Sequence, residues 1–549
     1  MPPTPEPSAP LRRHPAAFEP ATLALTVPLS LGGAVIGLVL ITTLGVAANT
    51  AVIGALTAMA AGRSRLPGLS RMRDPHRQNL VQSAVSGATF AAANSLLLPL
   101  AVPVALGRPD LVWPLLAGAV VGLAVDSWML YRVFDSPLLP ADAPWPSGVA
   151  AAGTIEAGDQ GGRKARVLGL AAVVGLAGAL LRMPMGAAGV AFLGTPCALL
   201  MFAAGLLVAQ YAPGLLGTDL AAHHVPHGVM IGAGCVALVQ TLRLLRRGDG
   251  RTAPPSDSPG PSGTDDDRFR PDRRTVGTPR LRRSLVHGGL LFLLGAVLVG
   301  LTGGIGVRMG WAGLVAWSLF AGLAALVHQL IVGLTAMYSG WFPAFALTLV
   351  FMIAGLLLGI PAEPLALLVG YVASTGPAFA DMGFDLKAGW LLRKGAVPWQ
   401  PYEKAGRGQQ YRAQLVGFAV AVLVVAATWP VFLADGRVPP VARVYADTIA
   451  TGLTDTGALT QMALWAVPGA LLQALGGHER QMGLLLATGL LVAIPDAGWF
   501  ILAVLAIRLA AHHRRRRRKD GAEDTFALVG AGLVAGSSVH DVTQVYRAL

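Results

Sequence analysis

Long apolar runs, separated by short polar and basic stretches, recur along almost the whole of the 549-residue chain. A helix needs about 20 apolar residues to cross the hydrocarbon core of a bilayer. In the first half the pattern predicts apolar segments over about 21–43, 45–62, 79–104, 111–132, 146–160, 167–182, 187–210 and 227–245. In the second half it predicts them over about 284–303, 311–336, 341–360, 363–380, 413–435, 441–475, 481–511 and 525–545, with 441–475 holding one span and a shorter piece. The fold class that follows is all-α: a polytopic membrane protein with about 14–16 transmembrane or re-entrant helices in two repeated halves. The moderately polar 146–160 segment reads as re-entrant. The 481–511 segment carries Pro495-Asp496 and reads as two half-helices. Interrupted helices at membrane depth are tolerated only against protein or water, so such breaks point to a site.

The polar punctuation divides the chain. Residues 1–20 read as a cytoplasmic tail, 21–246 as a first membrane half and 284–511 as a second. Residues 512–524 form a basic cytoplasmic loop, and 525–549 a final membrane segment and C-terminus. Between the halves, 247–283 is rich in Pro, Ser, Asp, Arg and Gly and reads as a disordered cytoplasmic linker. Three collinear matches relate the halves. Ser86-Gly-Ala-Thr-Phe-Ala91 resembles Thr375-Gly-Pro-Ala-Phe-Ala380, and Thr154-Ile-Glu-Ala-Gly158 resembles Thr448-Ile-Ala-Thr-Gly452. Gly232-Ala-Gly234 answers Gly530-Ala-Gly532, and the three offsets are 289, 294 and 298. Such a repeat predicts a substrate site between the halves near the midplane.

Composition closes off other classes. Hydrophobic residues make up 54%, charged residues 13%, and mean hydropathy is +0.59, whereas a soluble domain carries about 25% charge. The net charge of +13 does not indicate nucleic-acid binding, because the basic residues sit in loops: Arg63 to Arg77, Arg243 to Arg283, and Arg514 to Lys519. That is the positive-inside pattern, and it places those loops in the cytoplasm; the Arg514–Lys519 run can also touch anionic lipid. Cys197 and Cys235 read as buried free thiols, with no disulfide framework or metal site. No phosphate-binding loop, His-Glu-x-x-His motif or Gly-x-Ser-x-Gly elbow occurs, so neither ATP, another cofactor nor an enzyme activity is expected.

Polar residues inside apolar spans are costly and mark candidate chemistry. Asn79, Gln82, Ser83 and Ser86 share one helical stripe with Gln78 at its start; they suit a peptide or carboxylate path, or else interhelical hydrogen bonding. Glu156, with Asp159 beside it, follows a Pro-Ser-Gly loop and is a candidate proton or cation site, or an interfacial acid beside Arg163. Asp381 and Asp385 lie on one helical face and could share a proton or bind a cation. The competing reading is a helix end pairing with Lys387 and Arg393 at the interface. Tyr371, Ser374 and Thr375 carry hydroxyls on the same span. His328, beside Gln329, is a candidate proton relay or a packed core residue. His223, His224 and His227 read as a solvated loop at a span mouth.

Several stretches then resemble the oligopeptide transporter family, which includes the yellow-stripe-like metal-chelate carriers. They are Gln78-Asn-Leu-Val-Gln-Ser83 leading to Pro99, Pro146-Ser-Gly148 through Gly158, Asp381-Met-Gly-Phe-Asp385-Leu-Lys387-Ala-Gly389, Gln414-Leu-Val-Gly417, and the glycine-rich stretch ending at Gly536. The resemblance implies a duplicated, mostly 16-helix carrier. It also implies proton-coupled uptake of small oligopeptides or metal chelates by alternating access, in this case across a bacterial inner membrane. Partners would be the peptide or chelate, protons and membrane lipids, with a homo-oligomer compatible. Gln78, Asn79, Gln82, Ser83, Tyr371, Ser374 and Thr375 are the expected substrate contacts; Glu156, Asp381, Asp385 and His328 the expected ion-coupling groups. The chain departs from the family's Gly-Glu pairs at Gly87-Ala88 and at Gly536-Ser537. That departure leaves a transport-inactive sensor or scaffold as the alternative, and a membrane-embedded enzyme as a remoter one.

Overall fold

The computed structural model describes residues 13–43, 51–64, 69–160, 162–193, 195–220, 222–247, 269, 273–340, 344–434, 438–451, 457–491, 494, 496–515 and 522–548. Most of the expected linker, the start of the tail, Arg65, Pro495, Gly452 and most of the Arg514–Lys519 run lie outside them. Among the described residues every regular element is helical. Eight helices among the described residues are long and apolar enough to cross a membrane, including Pro20–Thr42, Pro109–Val133, Pro196–Leu215 and Ile305–Tyr338, and five shorter apolar helices accompany them there. The chain is an all-α, polytopic membrane protein.

Two of the interrupted spans have equal length. Pro75–Ala105 and Ala362–Leu392 each run for 31 residues, and the hydrophobic stretch of the second is buried throughout. The first begins on Pro75, with Asp74 as N-cap accepting from the His76 N–H at 2.9 Å; proline suits a first helical turn because its missing N–H would be unpaired anyway. Ala91–Leu97 then widens into a π-helical segment, a device that often sits at functional sites. The second span breaks outright. Helix Ala362–Ser374 ends, Gly376 takes φ +94°, and Pro377 starts helix Pro377–Leu392. Only glycine adopts such a backbone without a Cβ penalty.

Here the structure corrects an expectation. The sequence places the end of this apolar run near residue 380, where Asp381, Asp385 and Lys387 meet a basic loop. Instead the helix continues to Leu392, with Asp381, Asp385 and Lys387 all buried. The polar residues lowered local hydropathy without marking an exit from the membrane, because other helices cover them. The expected break near residue 495 is present, between helices Met482–Leu491 and Ala497–Arg515. Residues 441–475 divide between helices Pro440–Thr451 and Gly457–Arg480.

Helix contacts come in reciprocal pairs across the chain. Val225–Arg247 packs along Gly457–Arg480, and Ala522–Ala548 packs along Gly162–Leu180. Pro196–Leu216 lies on Met482–Leu491, and Met185–Leu193 on Ala497–Arg515. Each of these contacts joins an element before residue 248 to one after residue 456. The matched glycines have a physical reason. A Cβ on Gly232 would overlap the Ala466 carbonyl, and one on Gly532 would press on Leu168 and Ala171. Apolar lipid supplies no hydrophobic drive between helices, so close backbone approach through small residues sustains such pairs. Cys197 is half-buried and Cys235 exposed on its helix surface, not buried as the sequence suggested; an apolar setting in sequence does not distinguish a lipid-facing side chain from a core one.

Candidate functional site

Helix Pro75–Phe90 buries Gln78, Asn79, Gln82, Ser83 and Ser86 alongside its apolar residues. It packs against Pro377–Leu392 and Trp399–Phe432, and the polar groups meet there. Ser86 Oγ donates to Asp381 Oδ1 at 2.7 Å. Gln82 Nε2 donates to Asp385 Oδ1, and Asn79 Nδ2 donates to Gln82 Oε1 at 2.8 Å. From the third helix, Gln414 Nε2 reaches Asp385 Oδ2 at 2.7 Å, while Gln410 Nε2 donates to the Asp385 carbonyl at 2.7 Å and to Ser83 Oγ at 3.2 Å. Asp381 Oδ2 and Gln414 Oε1 are buried with no hydrogen-bond partner among the described residues. Both aspartates thus have neutral amide and hydroxyl neighbours, and neither is in an ion pair among the described residues. Such groups can exchange their hydrogen bonds for those of an amide, a carboxyl proton or a cation.

A charged layer adjoins this cluster. Arg393 Nε donates to Glu403 Oε2 at 2.6 Å, Arg407 Nε donates to Glu403 Oε1 at 3.2 Å, and Arg393 Nη1 donates to Gln410 Oε1 at 2.8 Å. Arg407 also binds the Phe134 carbonyl at 2.9 Å and Thr275 Oγ1 at 2.7 Å. Outside the spans, Thr275 in turn donates to Asp135. Lys387 stands apart from the aspartates and donates to the Ala141 and Ala143 carbonyls at 2.7 and 2.9 Å. The expected helix-end pairing of the aspartates with Lys387 and Arg393 does not occur, because these cations turn to partners on other elements.

A second polar group surrounds the helix break. Asp126 Oδ2 accepts from the Gly376 N–H at 2.7 Å, and Oδ1 is buried with no hydrogen-bond partner among the described residues. His328 meets the Ala344 carbonyl at 3.0 Å, Thr348 Oγ1 at 3.1 Å and Thr375 Oγ1 at 3.4 Å. Tyr371 donates to the Phe292 carbonyl, Ser374 to the Tyr371 carbonyl and Thr375 to the Val372 carbonyl, at 2.7, 2.7 and 2.8 Å. Those three hydroxyls stabilise the broken span rather than join the aspartate cluster. Sequence reasoning passed over Asp126. The signal was a lone carboxylate inside the 22-residue apolar helix Val112–Val133, which is a functional hint by itself.

The remaining candidates lie outside both groups. Gln78 Nε2 donates to the Met72 carbonyl at 2.8 Å. It lines a cavity of about 360 Å³ with Met59, Arg63, Arg73, Gly158 and Asp159. Glu156 is half-buried on helix Pro146–Gln160, which packs against Pro377–Leu392. His223 is exposed and His227 buried, and no group of three or more His, Cys, Asp or Glu placed to hold a metal occurs among the described residues.

No curated protein matches the chain. The family model described as OPT oligopeptide transporter protein matches residues 20–239, so this first part of the polytopic membrane chain is similar to that family.

Proposed function

We propose that the chain is a proton-coupled secondary transporter in a bacterial inner membrane, moving small oligopeptides or metal chelates by alternating access. One observation carries the reading: Asp381 and Asp385 are both buried at the meeting of three helices, with only neutral partners. An unpaired buried carboxylate is costly, and taking up a proton removes that cost. In this reading, protonation of the pair accompanies substrate binding against Asn79, Gln82, Ser83 and Gln414, whose amides and hydroxyls match peptide and carboxylate groups. Asp126 holds the start of helix Pro377–Leu392, so motion at the Gly376 break would shift both aspartates together. Glu156 and His328 lie off the cluster and serve the path or the packing instead.

The test is uptake into proteoliposomes under an imposed pH gradient, with labelled di- to pentapeptides and ferric or nickel chelates. Accumulation that collapses with a protonophore supports the proposal and names the substrate class. A folded, monodisperse protein that accumulates neither panel would favour a sensor or scaffold role.

A further inference from the structure

A cavity outside the aspartate cluster lies near the basic 63–77 segment. It encloses about 770 Å³, within the range of about 300–1,000 Å³ typical of small-ligand pockets. Arg13 and Arg393 contribute to its wall together with Gln409, and among the described residues no acidic one lines it. The rings of His14, His76 and Tyr402 form one side, with centroids 5.0, 5.3 and 5.5 Å apart. Leu392, Val397, Pro398 and Pro401 supply apolar surface.

The buried Arg393 is the informative group. Its Nε is taken by Glu403 and its Nη1 by Gln410, while Nη2 is buried with no hydrogen-bond partner among the described residues. Glu403 is shared with Arg407, so one carboxylate faces two guanidinium groups and the local charge is left positive. His14 adds no further cation. Its Nδ1 lies 2.9 Å from the Pro15 carbonyl, which can only accept, so Nδ1 holds the proton and Nε2 is an acceptor. Burial first, and the Arg393 charge second, hold its pKa down to about 3.

We propose that this cavity is a binding site for a small organic oxyanion, a phosphate or carboxylate on a compact aromatic or apolar body. The anionic group pairs with Arg393 Nη2 and Arg13, and the body lies against the His14, His76 and Tyr402 rings. A charged acceptor on the guanidinium fork is the stronger kind of hydrogen bond. Gln410 joins Arg393 to the Asp385 carbonyl and Ser83, so occupancy is felt at the aspartate cluster two hydrogen bonds away.

Calorimetric titration of the purified full-length protein tests this without any transport readout. The probes are phenyl phosphate, inorganic phosphate and phenol at constant ionic strength. Saturable binding of phenyl phosphate is expected, with phenol and inorganic phosphate each weaker by about tenfold or more, equivalent to about 1.4 kcal/mol. Arg13→Ala and Tyr402→Ala, both at the wall, should each weaken phenyl phosphate by about fivefold. Repeating the titration in nanodiscs with and without phosphatidylglycerol separates the sources: competition by that lipid identifies a headgroup as the natural oxyanion, and its absence a free metabolite. Phenol binding as tightly as phenyl phosphate, or unchanged affinity in both folded variants, overturns the proposal.

Discussion

Ser86 Oγ donates to Asp381 Oδ1 at 2.7 Å, joining residues 295 positions apart. One turn earlier on the same helix, Gln82 donates to Asp385. These two bonds bring the two interrupted spans face to face. They also give each aspartate a partner from the other half of the chain.

Asp381→Asn and Asp385→Asn keep side-chain shape while removing the titrating group, and at residue 385 the new amide can be met by the Gln414 Oε1 once that side chain flips. Each should cut proton-driven uptake by about a hundredfold or more, the range typical of a positioned proton-transfer group, with little change in melting temperature. Uptake assayed across a series of external pH values checks this. Retention of full pH-dependent uptake in both variants would remove the aspartates from the coupling step.

Glu403 is the shared counter-ion of Arg393 and Arg407, and its side chain is fully buried. Removing one partner of a buried pair costs about 3–5 kcal/mol. Glu403→Gln should therefore lower thermal stability more than any substitution in the aspartate cluster. Glu403→Gln together with Arg407→Leu should recover part of the loss, which thermal unfolding followed by intrinsic fluorescence would show.

Asp126 accepts the Gly376 N–H at the break. Leaving a buried donor unpaired costs about 1–3 kcal/mol, so Asp126→Ala should destabilise by that order and Asp126→Asn by less. Equal melting temperatures for the alanine variant and the parent would show that the contact does not hold the break.

Gly232 lies where a Cβ would overlap the Ala466 carbonyl. Gly232→Ala should cost about 1–3 kcal/mol by overpacking. Gly214, with open space around it, should tolerate alanine, and the two melting temperatures compared directly decide the matter.

His14 has its pKa held near 3, against an ordinary value of 6.5. The unfolded chain takes up a proton near pH 6.5 that the folded chain refuses until about pH 3. Stability therefore falls as pH drops through that window, with a slope of at most about 1.4 kcal/mol per pH unit. His14→Gln should flatten this decline in melting temperature between pH 7 and 4.5; parallel declines in variant and parent would assign the acid sensitivity elsewhere.

Hydropathy alone exposed most helices, because a membrane helix must be apolar over a fixed length whatever its neighbours. It misjudged the end of the Asp381 span for the same reason: a helix covered on all sides carries buried polar groups that resemble an exit. The stripe Asn79, Gln82, Ser83 and Ser86 was legible from helical periodicity, as was the shared face of Asp381 and Asp385. Their partners were not. Gln414 was visible only within the Gln414-Leu-Val-Gly417 stretch, with nothing to pair it with Asp385; Gln410 carried no pattern, and Asp126 passed without notice as a single charge.

The sequence by itself determined that this is an all-α membrane chain and which polar residues lie inside its spans. Those properties depend on residue type and local spacing, which the bilayer's thickness and the helix period read directly. Tertiary structure alone decided that Asp381 and Asp385 face a hydroxyl and amides rather than cations. It also turned Lys387 and Arg393 to other partners, and gathered Tyr371, Ser374, Thr375 and His328 at a helix break. A hydrogen bond reaches only about 3 Å, so its partner across 300 residues is fixed by how helices pack, which no local pattern records.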